Sequence, residues 1–226
     1  MELTYRDYEI LKLVGAFGQL SSSHLKELIF ADRSHSVPDT VLKRLDQHDY
    51  LSIVGRRASG PKGGAGAFTY KLGRFGRSLL NVNRTASPNV NDHALMVADT
   101  YLELRRAESA GVLRVLDWEV ERSVPPLVRA DLFAAVEYPQ QGRMSQYFLE
   151  IDRQSEAPKR IREKIAGYWL AVEGSKSDYF PFVVFVVKNE ARKRELERVF
   201  KQLPDDRQEM VRVYLLSELI PALMRL

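Results

Sequence analysis

Four side chains in the middle of this chain have the types and spacing of a hydrolytic centre: Asp131, Glu150, Asp152 and Lys164. Glu150 and Asp152 lie two apart in the run Tyr147-Phe148-Leu149-Glu150-Ile151-Asp152, so on a strand both carboxylates fall on one face. Asp131 sits in an earlier apolar run and reaches that face if the two runs pair as a hairpin. Carboxylates converging at a strand end suit a hard divalent cation such as Mg2+, and such an ion activates water against a phosphodiester. On this reading Asp131, Glu150 and Asp152 are the metal ligands and phosphodiester hydrolysis is the chemistry. The competing reading leaves the acids at a sheet edge, solvated or paired with Arg129, Arg143 and Arg153.

Several elements must position these groups. Residues 127–137 and 145–154 are short apolar and aromatic runs bounded by Pro125, Pro126, Pro139 and Gly142, which reads as a β-hairpin. A helix over residues 93–110 and a strand over 112–121 precede it. A helix over 157–172 and a strongly apolar strand over 180–187 follow. A strand reached through a helix should be buried and parallel to a neighbour, because the crossover lays the helix on the sheet. The order is αβββαβ, with a charged helix over 190–203, a strand near 211–216 and a short last helix as a tail. The apolar segment 213–226 offers a surface for pairing subunits, with core packing as its competing fate.

The first eighty residues have a different character. Thr4-x-x-Asp7 has the form of a capping box for a helix over residues 5–15, stopped by Gly15 and Gly18. Serines 21–23 can cap a second helix, residues 24–30, and Ser36-x-x-Asp39 with Pro38 opens a third. On the third helix Val41, Leu42 and Leu45 form a buried stripe, while Thr40, Lys43, Arg44 and Gln47 recur at helical spacing on the other side. Strands near 50–54 and 67–72 then flank a glycine-rich loop carrying Arg56, Arg57 and Lys62. Three helices and a basic-tipped hairpin read as a winged helix-turn-helix, with Ser36, Thr40, Lys43, Arg44, Gln47, Arg56, Arg57 and Lys62 as its DNA contacts. A winged helix used only for protein contacts is the alternative.

Charge placement agrees. Of the 34 Lys and Arg, 12 lie in residues 1–80 against 8 of the 30 Asp and Glu, so the whole net charge of +4 resides there. That points to duplex DNA as the partner of an N-terminal module on a charge-balanced second domain. The polar, turn-rich stretch 81–91 places the boundary near residue 85, giving domains of 1–84 and 85–226. No apolar run approaches the roughly 20 residues of a membrane span, and the N-terminus lacks a secretory pattern, so a cytoplasmic location is expected. The absence of cysteine excludes disulfides, thiol catalysis and thiolate zinc sites. His24, His35, His48 and His93 lack ligand spacing and suit surface or capping roles. No small-molecule ligand is indicated.

The second-domain order resembles the core of the PD-(D/E)xK nucleases, a restriction-endonuclease-like mixed sheet flanked by helices. By that resemblance Asp131 matches the first acid and Glu150 the second, while Ala130 replaces the proline and Asp152 occupies the lysine's place. Some members of that superfamily supply the lysine from the next helix. Lys164 can do so, holding the attacking water or offsetting charge on the phosphorus, unless it belongs to a solvated basic face with Lys159, Arg160 and Arg162. Glu119 or Glu103 would be an extra ligand.

Nearly the whole chain is similar to the replication-relaxation family of plasmids and integrative elements. The segments LTYRDYEILKLV, YKLGRFGRSLL, HALMVADTYLELRRA and FLEIDRQSE, followed by Lys164 and Tyr168, carry that likeness. It implies a context of mobile-element DNA rather than a reaction; with the acidic cluster, the expectation is a DNA-binding protein whose second domain contacts, nicks or cuts DNA, using Mg2+ if it is active. The alternative is a homodimeric transcriptional repressor or replication-site binder, with regulation as its role and an inactive nuclease-like scaffold.

Overall fold

A computed structural model describes residues 2–31, 34, 36–57, 66–153, 156–176 and 179–226, in two compact units that divide after Leu102. In the first, helix α1 (Tyr5–Phe17) begins on the expected capping box: the Thr4 hydroxyl accepts the Asp7 amide, and the Asp7 carboxylate takes the Thr4 amide. The helix passes through Gly15 and ends at Gly18, whose φ of 73° is a left-handed turn. Gly15 therefore does not stop it. Its missing side chain instead lets α1 approach the strand at residues 68–72, where a Cβ would stand 3.3 Å from Leu72 Cδ1.

A two-residue strand β1 (Leu20–Ser21) precedes α2 (Ser22–Phe30), capped by Ser21 with His24 closing the reciprocal bond. Helix α3 (Ser36–Gln47) buries Val41, Leu42 and Leu45 as the pattern requires. Strands β2 (Leu51–Arg56) and β3 (Phe68–Leu72) pair antiparallel with Leu51 opposite Leu72, and β1 joins the far side of β3, giving the order β1-β3-β2. Helix α4 (Arg74–Leu79) comes next. At Gly76 a Cβ would lie 2.2 Å from the Tyr50 carbonyl oxygen, so the chain can cross there only without a side chain.

The units part inside helix α5 (Asp92–Ser109), not in the polar stretch near residue 85. The reason is local. Gln19 bonds the carbonyls of Ser87 and Asn89 at 3.0 and 2.9 Å and accepts the amide of Asn91, which ties the polar stretch to the α1–α2 corner. The start of α5 then buries Leu95, Met96 and Ala98, and Tyr101 packs its ring 5.5 Å from that of Phe17.

The second unit continues with β4 (Arg114–Val124), β5 (Val128–Tyr138), β6 (Arg143–Asp152), α6 (Pro158–Gly174), β7 (Phe182–Val187), α7 (Glu190–Phe200), α8 (Asp205–Met210), β8 (Val211–Leu215) and α9 (Leu219–Leu223). The strands form one mixed sheet in the order β4-β5-β6-β7-β8: β4, β5 and β6 are antiparallel neighbours, and β6, β7 and β8 run parallel. Strand β7 is buried and parallel to β6, as its apolar run and helical crossover demand. Ile161, Ile165 and Tyr168 of α6, with Leu196, Val199 and Phe200 of α7, pack on Phe133, Phe148, Val183 and Phe185 in one core. Helix α6 lies so near β5 that a Cβ on Gly167 would come 2.3 Å from Val128 Cγ2. The chain is thus mixed α+β, with one three-stranded antiparallel and one five-stranded mixed sheet. Among the described residues, no helix is long and apolar enough to cross a membrane.

Candidate active site

Strand β6 lies between β5 and β7, so residues 147–152 are buried on both faces. A carboxylate at such a position must find hydrogen-bond partners, and Glu150, 1 % exposed, has two. Lys164 donates to its Oε2 at 2.9 Å and the Tyr168 hydroxyl to its Oε1 at 2.5 Å. Both donors come from α6 at i and i+4, one row of the helix facing the sheet. Tyr168 is fixed there by the Phe148 ring, 5.4 Å away.

The β5–β6 ladder stops in this direction at Leu132 opposite Leu149. One step beyond, Asp131 takes over the pairing with its side chain, its Oδ2 accepting the Ile151 amide at 2.7 Å. Asp131, Glu150 and Lys164 are thereby brought together, and the charge of Asp131 acts on both of the others. A further acid joins them. Glu156, just before α6, accepts from Lys164 at 3.4 Å through Oε1, while its buried Oε2 has no hydrogen-bond partner.

Asp152 shares the strand face but belongs to a different network. Its Oδ2 accepts from both Nε and Nη2 of Arg192 on α7, at 3.2 and 2.5 Å, and both side chains are 3 % exposed. Arg192 Nη2 also donates to the Glu156 carbonyl at 2.6 Å, so this pair anchors the segment that carries Glu156. The expected third ligand is thus drawn into a structural ion pair. Of the arginines expected as alternative partners, Arg129 meets Glu121 at 3.4 Å, and Arg143 reaches the carbonyls of Leu223 and Met224. Glu119 pairs with Arg122 and Glu103 with Arg106.

Burial, reinforced by the neighbouring charge of Asp131, pushes the Glu150 carboxyl from 4.5 up to about 8. For Lys164 burial works against the charge, but Glu150, Asp131 and Glu156 outweigh it and hold the ammonium above its ordinary value. Burial and the adjacent acids also raise the Tyr168 hydroxyl, which remains a donor at physiological pH. The centre is therefore an acid that binds its proton tightly, flanked by a fixed cation and a fixed hydroxyl donor.

Among the described residues, no group of three His, Asp or Glu is set to hold a metal ion, consistent with the diversion of Asp152. Two carboxylates nevertheless satisfy what Mg2+ asks of a protein, since it keeps several waters and draws further oxygens from a substrate phosphate. Asp131 and Glu150 supply those two, and the unpartnered Oε2 of Glu156 is a spare buried oxygen beside them.

In the first unit, Ser36, Thr40, Lys43 and Gln47 lie exposed at i, i+4, i+7 and i+11 along α3. Arg44 departs from that stripe: its Nη2 sits 2.5 Å from both oxygens of the fully buried Asp7, joining α3 to the capping box of α1. Arg57 likewise bonds Asp99 through both Nη atoms. Burial acts to raise the Asp99 carboxyl, but Arg57 and His24 prevail and hold it well below the usual carboxylate range. His24 is consequently buried, its Nε2 2.9 Å from Asp99, although its capping role was readable from Ser21 three residues earlier. Arg56 is exposed, with its guanidinium stacked 3.8 Å above Phe68 and bonded to the Gly66 carbonyl. Lys62 lies outside the described residues.

Glu156, Tyr168 and Arg192 take part in the hydrogen bonds of this cluster, which spacing alone does not reveal. A signal for Glu156 existed: Pro158 starts α6, so the short link after Asp152 must keep that acid near the end of β6.

The second unit is thus a helix-supported mixed sheet with two acids and a lysine at a strand end, and the first is a small helical unit with a three-stranded sheet. The chain belongs to the replication-relaxation family, whose sequence profile matches residues 11–179. That span includes Asp131, Glu150, Glu156, Lys164 and Tyr168, while Arg192 lies beyond it. No curated protein matches the chain.

Proposed function

We propose that this is a DNA-processing protein of mobile elements: a winged helix-turn-helix first unit grips duplex DNA, and a PD-(D/E)xK-like second unit nicks or cleaves it. The observation that carries the reading is the convergence of Asp131, Glu150 and Lys164, with Lys164 Nζ 2.9 Å from Glu150 and Asp131 on the adjoining strand. Lys164 would take the lysine's place from the helix, since Asp152 stands where the motif has its lysine and is itself paired with Arg192. In the first unit, the exposed row on α3 and the Arg56–Phe68 stack at the base of the wing support DNA contact.

Asp131 and Glu150 would hold Mg2+, which when bound supplies positive charge that activates water and polarises the phosphate. The chain's own residues do the rest. Tyr168 fixes the orientation of Glu150, and Lys164, permanently charged, stabilises the negative charge gathering on phosphate oxygens.

A second reading has its own support. Both oxygens of Glu150 and one of Asp152 are already hydrogen-bonded within the protein, a closed network suited to an inactive scaffold in a dimeric repressor or replication-site binder. Supercoiled-plasmid nicking with Mg2+ or Mn2+ separates the two. Wild-type activity that disappears in Asp131→Ala and Glu150→Ala supports the enzyme, whereas equal inactivity of all three proteins with DNA binding intact supports the scaffold.

A further inference from the structure

The first turns of α6 carry Lys159, Arg160 and Arg162, all exposed, beside a centre built on two acids. They are not equivalent. Arg160, Lys164 and Tyr168 stand at i, i+4 and i+8, so they form one row, while Lys159 and Arg162 point to other sides of the helix. Exposure climbs along that row. Tyr168 is fully buried against Glu150, Lys164 is 20 % exposed and still bonded to Glu150, and Arg160 is 70 % exposed. The only ion pair Arg160 makes among the described residues is with Glu163 at 3.9 Å, too long for a good hydrogen bond and with an acid that is itself half exposed.

We infer that Arg160 is the positioning residue at the entrance of the site, seating a backbone phosphate of the nucleic-acid strand so that the neighbouring phosphodiester meets Lys164 and Glu150. This deepens the proposed function and rests on it. A guanidinium suits the task because its planar fork binds phosphate oxygens in two parallel hydrogen bonds, a geometry an ammonium cannot reproduce. The loose contact with Glu163 is cheap to exchange for a phosphate, since exposed pairs of this kind contribute little. The arrangement also separates tasks along one helix: the outermost side chain holds substrate, the middle one meets the reacting phosphate, and the innermost orients the acid.

The test uses the full-length protein in plasmid nicking with Mg2+, comparing Arg160→Gln, Arg160→Lys and Lys159→Gln. Loss of a charge-assisted phosphate contact should raise the KM for plasmid of Arg160→Gln by about ten- to a hundredfold with a smaller change in kcat. Arg160→Lys should recover only part of this, and Lys159→Gln, which removes the same charge from another side of the helix, should match wild type. Thermal melting should be unchanged in all three, because both positions are solvent-exposed. Equal KM values for Arg160→Gln and Lys159→Gln in an active enzyme would overturn the inference alone. An inactive wild-type protein would overturn the proposed function and this inference with it.

Discussion

Glu150 concentrates the chemistry of the second unit in one side chain. Its carboxyl binds a proton more tightly in the folded protein than in the unfolded chain, with a value of about 8 against 4.5, so folding is coupled to proton uptake. Stability from this group is fully present below about pH 4.5 and is lost as the pH rises towards 8. Glu150→Gln removes the titration while keeping the shape and an acceptor for Tyr168. Urea unfolding without divalent ions should therefore show the variant gaining on wild type between pH 5 and 8, and a difference that stays constant across that range contradicts the assignment. Strand alternation puts Asp131 within reach of Glu150 because it is a local rule, whereas Lys164 is suggested by resemblance; the fold brings the three side chains together. Alternation could not separate Glu150 from Asp152. The two differ through Arg192, forty residues further on, and no local pattern announces that a buried guanidinium will claim one of a pair of acids.

Element by element, periodic segments and the short last helix were legible, whereas β1 and α8 were not. The β5–β6 hairpin and α6 follow from runs of ten or more residues, the capping box of α1 from a four-residue motif, and the buried parallel β7 from an unbroken apolar run reached through a helix. Strand β1 has two residues and exists only because β3 offers it an edge, and α8 is a six-residue turn of helix with a polar sequence. Gly15 reads as a stop signal, yet its purpose is to let α1 lie against β3. A stretch rich in turn formers can mark a boundary or dock, and here Gln19 gathers the backbone of residues 87–91 while the compact units divide after Leu102. At this scale the most consequential contact is made by α7, whose Arg192 joins the end of β6 to the segment bearing Glu156. Breaking a buried ion pair from one side leaves an uncompensated charge, so Arg192→Met should cost about 3–5 kcal/mol in chemical denaturation, and adding Asp152→Leu should recover much of it. A loss below about 1 kcal/mol for the single variant contradicts a structural role for the pair.

Across the whole molecule, charge is divided unevenly: the excess of cations lies in the first eighty residues and the acidic centre in the second unit. A cationic unit that neutralises about six phosphates should lose roughly a thousandfold in DNA affinity between about 50 and 200 mM salt. Lys43→Gln, at an exposed position on α3, should lower the slope of that dependence by about one, and a flat salt response would remove DNA from the account. The proposed gripping and cutting of DNA are thus separable by measurement. The direct test of the central claim is the single-turnover nicking rate of Lys164→Met at saturating plasmid with Mg2+. The account predicts a fall of about a hundredfold or more with DNA affinity unchanged. A variant that nicks as fast as wild type would contradict it.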